Sequence, residues 1–103
     1  MPDGSEVIMQ KSHAATAELT SSIVSPNADC RQVSFHCFDT IGGTLAIDHE
    51  IGDGVYKQVE SPVTVAASVL RNVVVPYRMD KCRARFTPAS GSAGMCTIRV
   101  EES

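Results

Sequence analysis

The chain has 103 residues, a hydrophobic fraction of 43% and a formal net charge of −3. This length predicts a single domain with one core. No apolar run is longer than three residues, as at residues 73–75, and this is far too short to cross a bilayer. Residues 1–6 have neither the basic nor the apolar region of a secretory signal, so we expect synthesis in a cytosol with no membrane association.

Residues 1–26 differ from the rest and are predicted to form an extended N-terminal arm that leads into a first strand at about residues 17–24. The arm contains a short apolar patch, Val7, Ile8 and Met9. Such arms are often fixed by a neighbouring subunit, so these three side chains are candidate partner contacts. The single folded domain is expected over residues 27–103.

From residue 30 onward the chain alternates between apolar and polar side chains, with Gly, Pro, Asp and Ser at the breaks. Period-two alternation predicts strands with one buried face. We expect strands near residues 32–38, 44–51, 55–59, 63–65 and 69–75, with a tight turn at Gly52-Asp53-Gly54. Two more strands, at residues 81–86 and 96–100, are expected to pair as a closing hairpin.

This succession of short alternating strands and turns predicts an all-β fold: a small antiparallel β-sandwich or jelly-roll-like barrel of seven or eight strands. Three cysteines, Cys37, Cys82 and Cys96, fall on apolar positions of strands and are expected to be free core residues. A Cys82–Cys96 bond across the closing hairpin is the alternative. Cys30, in a polar segment, is the candidate reactive thiol.

Charge is distributed unevenly, since residues 1–70 carry nine acids and three bases and residues 71–103 carry six bases and three acids. On the expected hairpin Arg83, Arg85 and Arg99 would share one face. This row is either a contact patch for an acidic protein surface or a set of charges that keeps an exposed sheet soluble. No aromatic residues are interleaved with it, so specific nucleic-acid binding is not expected.

The sequence lacks the short motifs that are typical of serine hydrolases and of zinc sites. There is no Gly-x-Ser-x-Gly, no Cys-x-x-Cys and no His-x-x-x-His, so no catalytic residue, metal site or cofactor is predicted. Asp48, Glu50 and Asp53 flank a turn in the manner of a loose calcium site, but the spacing of an EF-hand is absent and a solvated hairpin rim is the favoured interpretation. A small ligand- or carbohydrate-binding sandwich is a competing class, disfavoured because the chain has no Trp for sugar stacking.

The order of the Asp53-Gly54 turn, Val73-Val74-Val75-Pro76-Tyr77-Arg78, the Ser90-Gly91-Ser92 turn and Thr97-Ile98-Arg99-Val100 resembles small tailed-bacteriophage virion proteins with a β-sandwich. The resemblance covers about residues 30–103. It implies a non-enzymatic virion protein made in the host cytoplasm, of the capsid cement or decoration type, or else a tail, neck or baseplate component. The implied partners are the major capsid protein or other virion subunits, and the implied assembly is a homo-oligomer, with a trimer favoured.

Overall fold

The structure is a computed structural model that describes residues 6–103. Nine strands form within this range: β1 (Glu6–His13), β2 (Leu19–Thr20), β3 (Val33–Asp39), β4 (Gly43–Gly52), β5 (Val55–Gln58), β6 (Val63–Val65), β7 (Arg71–Val75), β8 (Cys82–Pro88) and β9 (Gly94–Glu102). None of the described residues is helical, so none belongs to a helix that could span a membrane.

The strands form two antiparallel sheets. Sheet A has the order β1-β9-β3-β7, and sheet B has the order β2-β8-β4-β5, with β6 also paired to β4. The predicted all-β sandwich is confirmed. The tight turn at Gly52-Asp53-Gly54 is also present, and all three of its residues have positive φ, from 52° at Asp53 to 136° at Gly52.

The core lies between the sheets and follows the alternation of the sequence. Every second residue of β3, β8 and β9 is fully or almost fully buried: Val33, Phe35 and Cys37; Cys82, Ala84 and Phe86; Cys96, Ile98 and Val100. β4 adds Leu45 and Ile47 from sheet B. Because successive side chains along a strand point to opposite faces of its sheet, the intervening polar residues lie on the outer faces.

The prediction that the last two strands pair as a closing hairpin is wrong. β8 pairs with β2 and β4 in sheet B, whereas β9 pairs with β1 and β3 in sheet A. The segment between them crosses from one sheet to the other, so Cys82 and Cys96 lie in different sheets. All four cysteines are free.

The N-terminal segment also differs from its prediction. Residues 6–13 form β1, which pairs with β9 as an edge of sheet A, and the strand expected at residues 17–24 is reduced to the two residues of β2. A register shift between Val7 and Met9 brings both Ile8 and Met9 inward, where they join the core at 6% and 4% exposure. Residues 1–5 of the predicted arm lie outside the described residues.

Candidate functional site

An ion-pair cluster covers the outer face of sheet B, and Asp48 is its centre. Asp48 lies on β4, directly opposite Arg83 of β8 and Gln58 of β5. Arg85 lies two residues further along β8, opposite Ala46 and on the same face. Side chains opposed in this way on neighbouring strands stand close together on the same face. The register therefore delivers two guanidinium groups to one carboxylate.

Both arginines donate to Asp48. The Nε of Arg83 lies 3.0 Å from Oδ2, and Arg85 binds with two groups, Nε at 2.7 Å from Oδ2 and Nη2 at 2.8 Å from Oδ1. Two parallel hydrogen bonds of this kind combine geometric specificity with charge attraction. The side chain of Asp48 is only 4% exposed, even though it projects from the outer face, because the arginines cover it.

Neighbouring side chains complete the cluster. Arg85 also donates to Glu18, at 2.9 Å, and to Gln58, at 3.0 Å. Its pKa is raised above its ordinary value, chiefly by the hydrogen bonds to Asp48. The guanidinium of Arg83 stacks over the ring of Tyr56, 4.2 Å from the ring centroid. Two positive and two negative charges therefore balance, and both guanidinium groups have partners in their own chain.

Arg99 has a different position from the other two predicted contact arginines. It lies on the outer face of sheet A, opposite His36 of β3 and Val7 of β1. Arg99 is exposed, and it forms no ion pair with any residue from 6 to 103. Val7 is 40% exposed on the same face. Of the predicted partner contacts, Arg99 and Val7 are therefore adjacent and accessible, although Glu101, paired with His36, lies on the same face.

A buried pair connects β1 to the end of β3. The Nε2 of His13 lies 2.6 Å from Oδ2 of Asp39, and the side chains are 4% and 0% exposed. Oδ1 of Asp39 accepts the backbone N–H groups of Ile41 and Gly42 at 2.7 and 2.9 Å. The Nδ1 of His13 is buried without a hydrogen-bond partner among the described residues. This pair holds the last residue of β1 to the β3–β4 turn.

The thiols are set in contrasting surroundings. Cys30, the predicted reactive thiol, is half-buried. Burial raises the pKa of the Cys82 thiol to about 12, with smaller contributions from Glu102 and Cys30. A hydrogen bond with Cys37, together with burial, raises the pKa of Cys96. Buried thiols with raised pKa values react slowly.

Sequence reasoning missed Asp48 and His13 as members of these clusters. It considered Asp48 only as part of the rim of the β4–β5 turn and considered the arginines only as contacts for another molecule or as solubilising charges. Only the β4–β8 register shows that Asp48 is the ion-pair partner of Arg83 and Arg85. In the described part of the chain there is no cavity and no group of three or more His, Cys, Asp or Glu side chains suited to a metal ion.

Comparison with known proteins gives a structural match. No family model matches the chain, and no curated protein matches its sequence. Among solved structures, the crystal structure of the PBSX exported protein XepA superposes with a TM-score of 0.78 at 17% identity. The match covers 96% of this chain and 36% of XepA, so the chain spans about a third of that protein's length. At this identity the match shows a shared fold.

Proposed function

We propose that the chain is a phage-related structural protein without enzymatic activity. The observation that carries this proposal is the sandwich that it shares, over 96% of its length, with phage-derived XepA. The sequence resemblance to small virion proteins supports the same class independently. A shared fold does not determine function, so the particular role depends on the side chains that the two outer faces present.

Within this class the proposed role is a cement or decoration protein that binds the major capsid protein and stabilises the head. The outer faces of the two sheets suit two different functions, structural support on sheet B and partner contact on sheet A. On sheet B, Asp48 ties β4 to β8, so that this face serves as a rigid support. On sheet A, Arg99 and Val7 offer an accessible cation beside an apolar side chain, which suits an acidic protein surface.

A second candidate is a phage protein that leaves the cell without joining the particle. XepA, which shares the fold, is an exported protein, and this favours the second candidate. A tail, neck or baseplate position remains the alternative within the virion, and the homo-oligomer, with a trimer favoured, belongs to the proposal for the head.

The test is sedimentation of phage particles from cells that express the chain. A cement protein co-sediments with intact heads, a tail component co-sediments with isolated tails, and an exported protein stays in the supernatant of the growth medium. Arg99→Glu is expected to raise the dissociation constant for heads about tenfold, as loss of about 1.4 kcal/mol would. The same reversal at exposed Arg31, outside the strands, is the matched control.

Two results would contradict the proposed contact. Equal loss of binding in both variants would indicate a general effect of net charge, and unchanged binding of Arg99→Glu would remove sheet A from the interface. Binding to a glycan array in place of phage particles would instead favour the ligand-binding class.

A further inference from the structure

Strand β7 is an open edge of sheet A. It pairs with β3 on one side, and within residues 6–103 no strand pairs with its other side. An edge strand presents backbone N–H and C=O groups that an additional strand can satisfy. β7 therefore has a free hydrogen-bonding row along its outer side.

The other edges carry features that disfavour pairing. β2 and β6 have two and three residues, β5 carries Lys57 among four residues, and β1 has a register shift between Val7 and Met9. Short strands, lysines and bulges are the means by which natural sheets avoid edge-to-edge association. β7 has a regular register throughout and only one charge, Arg71.

The ends of β7 are apolar and accessible. Val69 and Leu70, just before the strand, are 56% and 61% exposed, Val74 within it is 40% exposed, and Tyr77 just after it is 43% exposed. An exposed strand edge with apolar side chains along it is the surface that β-strand addition uses.

We propose that β7 pairs with β7 of a second copy of this chain, in an antiparallel arrangement about a two-fold axis. Opposed residues of an antiparallel pair point to the same side of the sheet, so inward residues have to oppose inward residues. Val73 and Val75 share the inward side with Phe35 and Val33, which they oppose on β3. A register centred on Val73 meets this condition: each Val73 opposes its counterpart, and Asn72 opposes Val74.

The distribution of charge along β7 favours antiparallel over parallel pairing, and it favours a second copy of this chain as the strand that pairs with β7. In this register each Arg71 opposes Val75 of the other copy, so the two arginines lie at opposite ends of the joint. A parallel arrangement would place them side by side, which is destabilising. Every other opposed pair from residue 69 to 77 is uncharged. The strand is therefore complementary to itself, and pairing joins two four-stranded sheets into one.

The test is sedimentation equilibrium of the full chain and two variants. Val74→Lys places a lysine on β7, and Val55→Lys places one on β5, in the other sheet and at 54% exposure against 40% for Val74. We expect a wild-type dimer whose dissociation constant rises about tenfold in Val74→Lys and stays within about twofold in Val55→Lys. Circular dichroism confirms that each variant is folded.

Cross-linking checks the register. Val73→Cys is expected to give a covalent dimer under mild oxidation, with peptide mapping showing a bond between the two introduced cysteines, because cross-strand neighbours lie within disulfide distance. A wild-type chain that is monomeric at all concentrations would overturn the proposal and leave the edge for a strand of another protein. A dimer that Val74→Lys leaves intact, or that links only through the native cysteines, would overturn it as well. These outcomes do not depend on whether the chain is a virion protein.

Discussion

Asp48→Asn tests whether the cluster on sheet B stabilises the fold. The substitution keeps the shape of the side chain and removes its charge. The amide group of Asn also presents N–H donors to guanidinium donors, so at least one of the three hydrogen bonds from Arg83 and Arg85 is lost.

The magnitude follows from burial. Hydrogen bonds to charged groups contribute about 1.5–3 kcal/mol each, and breaking a fully buried ion pair costs about 3–5 kcal/mol. The arginine side chains are 30% and 22% exposed, so water recovers part of the loss. We expect the free energy of unfolding to fall by about 2–3 kcal/mol, which lowers the Tm by roughly 10–20 °C for a domain of this size.

Urea unfolding followed by circular dichroism measures this change, with Asp53→Asn as the control. Asp53 is exposed at the β4–β5 turn, and asparagine tolerates its positive φ, so the control is expected to stay within about 0.5 kcal/mol of the wild type. The effect of Asp48→Asn should persist in molar salt because the carboxylate is buried. A loss below about 0.5 kcal/mol would show that the cluster is no more than a surface ion pair.

Three further predictions concern the core and its closure. Asp39→Ala removes the acceptor of two turn N–H groups and the partner of buried His13, and is expected to cost about 3–5 kcal/mol in urea unfolding. In timed alkylation with iodoacetamide near neutral pH, Cys30 is expected to react first, whereas Cys82, with its pKa raised to about 12, reacts only after unfolding. Gly43→Ala would press a methyl group onto the backbone oxygen of Thr87 and to 2.7 Å from the ring of Phe86. We expect it to cost about 1–3 kcal/mol, while Gly91→Ala, with its nearest contact at 3.8 Å, changes the unfolding free energy little.

Each of these predictions has a contradicting result. A cost below about 1 kcal/mol for Asp39→Ala would mean that water replaces the lost acceptor. Labelling of Cys82 at the rate of Cys30 would show that the sandwich opens locally. Equal stability of the two alanine variants would show that β4 and β8 do not approach as closely as described.

The alternation of the sequence was sufficient to predict which side chains enter the core. The alternation predicts that Cys37, Cys82 and Cys96 are core residues, and all three are fully buried. The period succeeds because burial is decided by which side of the strand a residue occupies, a local property of the chain. Ile8 and Met9 were instead expected to contact a partner, and alternation could not predict their burial, because a register shift brings these two consecutive residues inward.

Which strands pair could not be predicted in this way. Alternation shows that a strand has a buried face but does not identify its neighbours, and the turn-like segment at residues 89–93 suggested a hairpin where the chain crosses between sheets. The misplaced pairing separated Arg83 and Arg85 from Asp48, their cross-strand neighbour, and grouped them with Arg99 of the other sheet. The candidate site therefore depended on long-range register, which only the fold supplies.

The most direct measurement for the central claim is electron microscopy of purified particles from cells that carry the gene. A virion structural protein predicts density of this sandwich at regular positions on the particle, with the outer face of sheet A, around Arg99, against the neighbouring subunit. Particles that lack this density, with the protein found only in the unbound fraction, would contradict it.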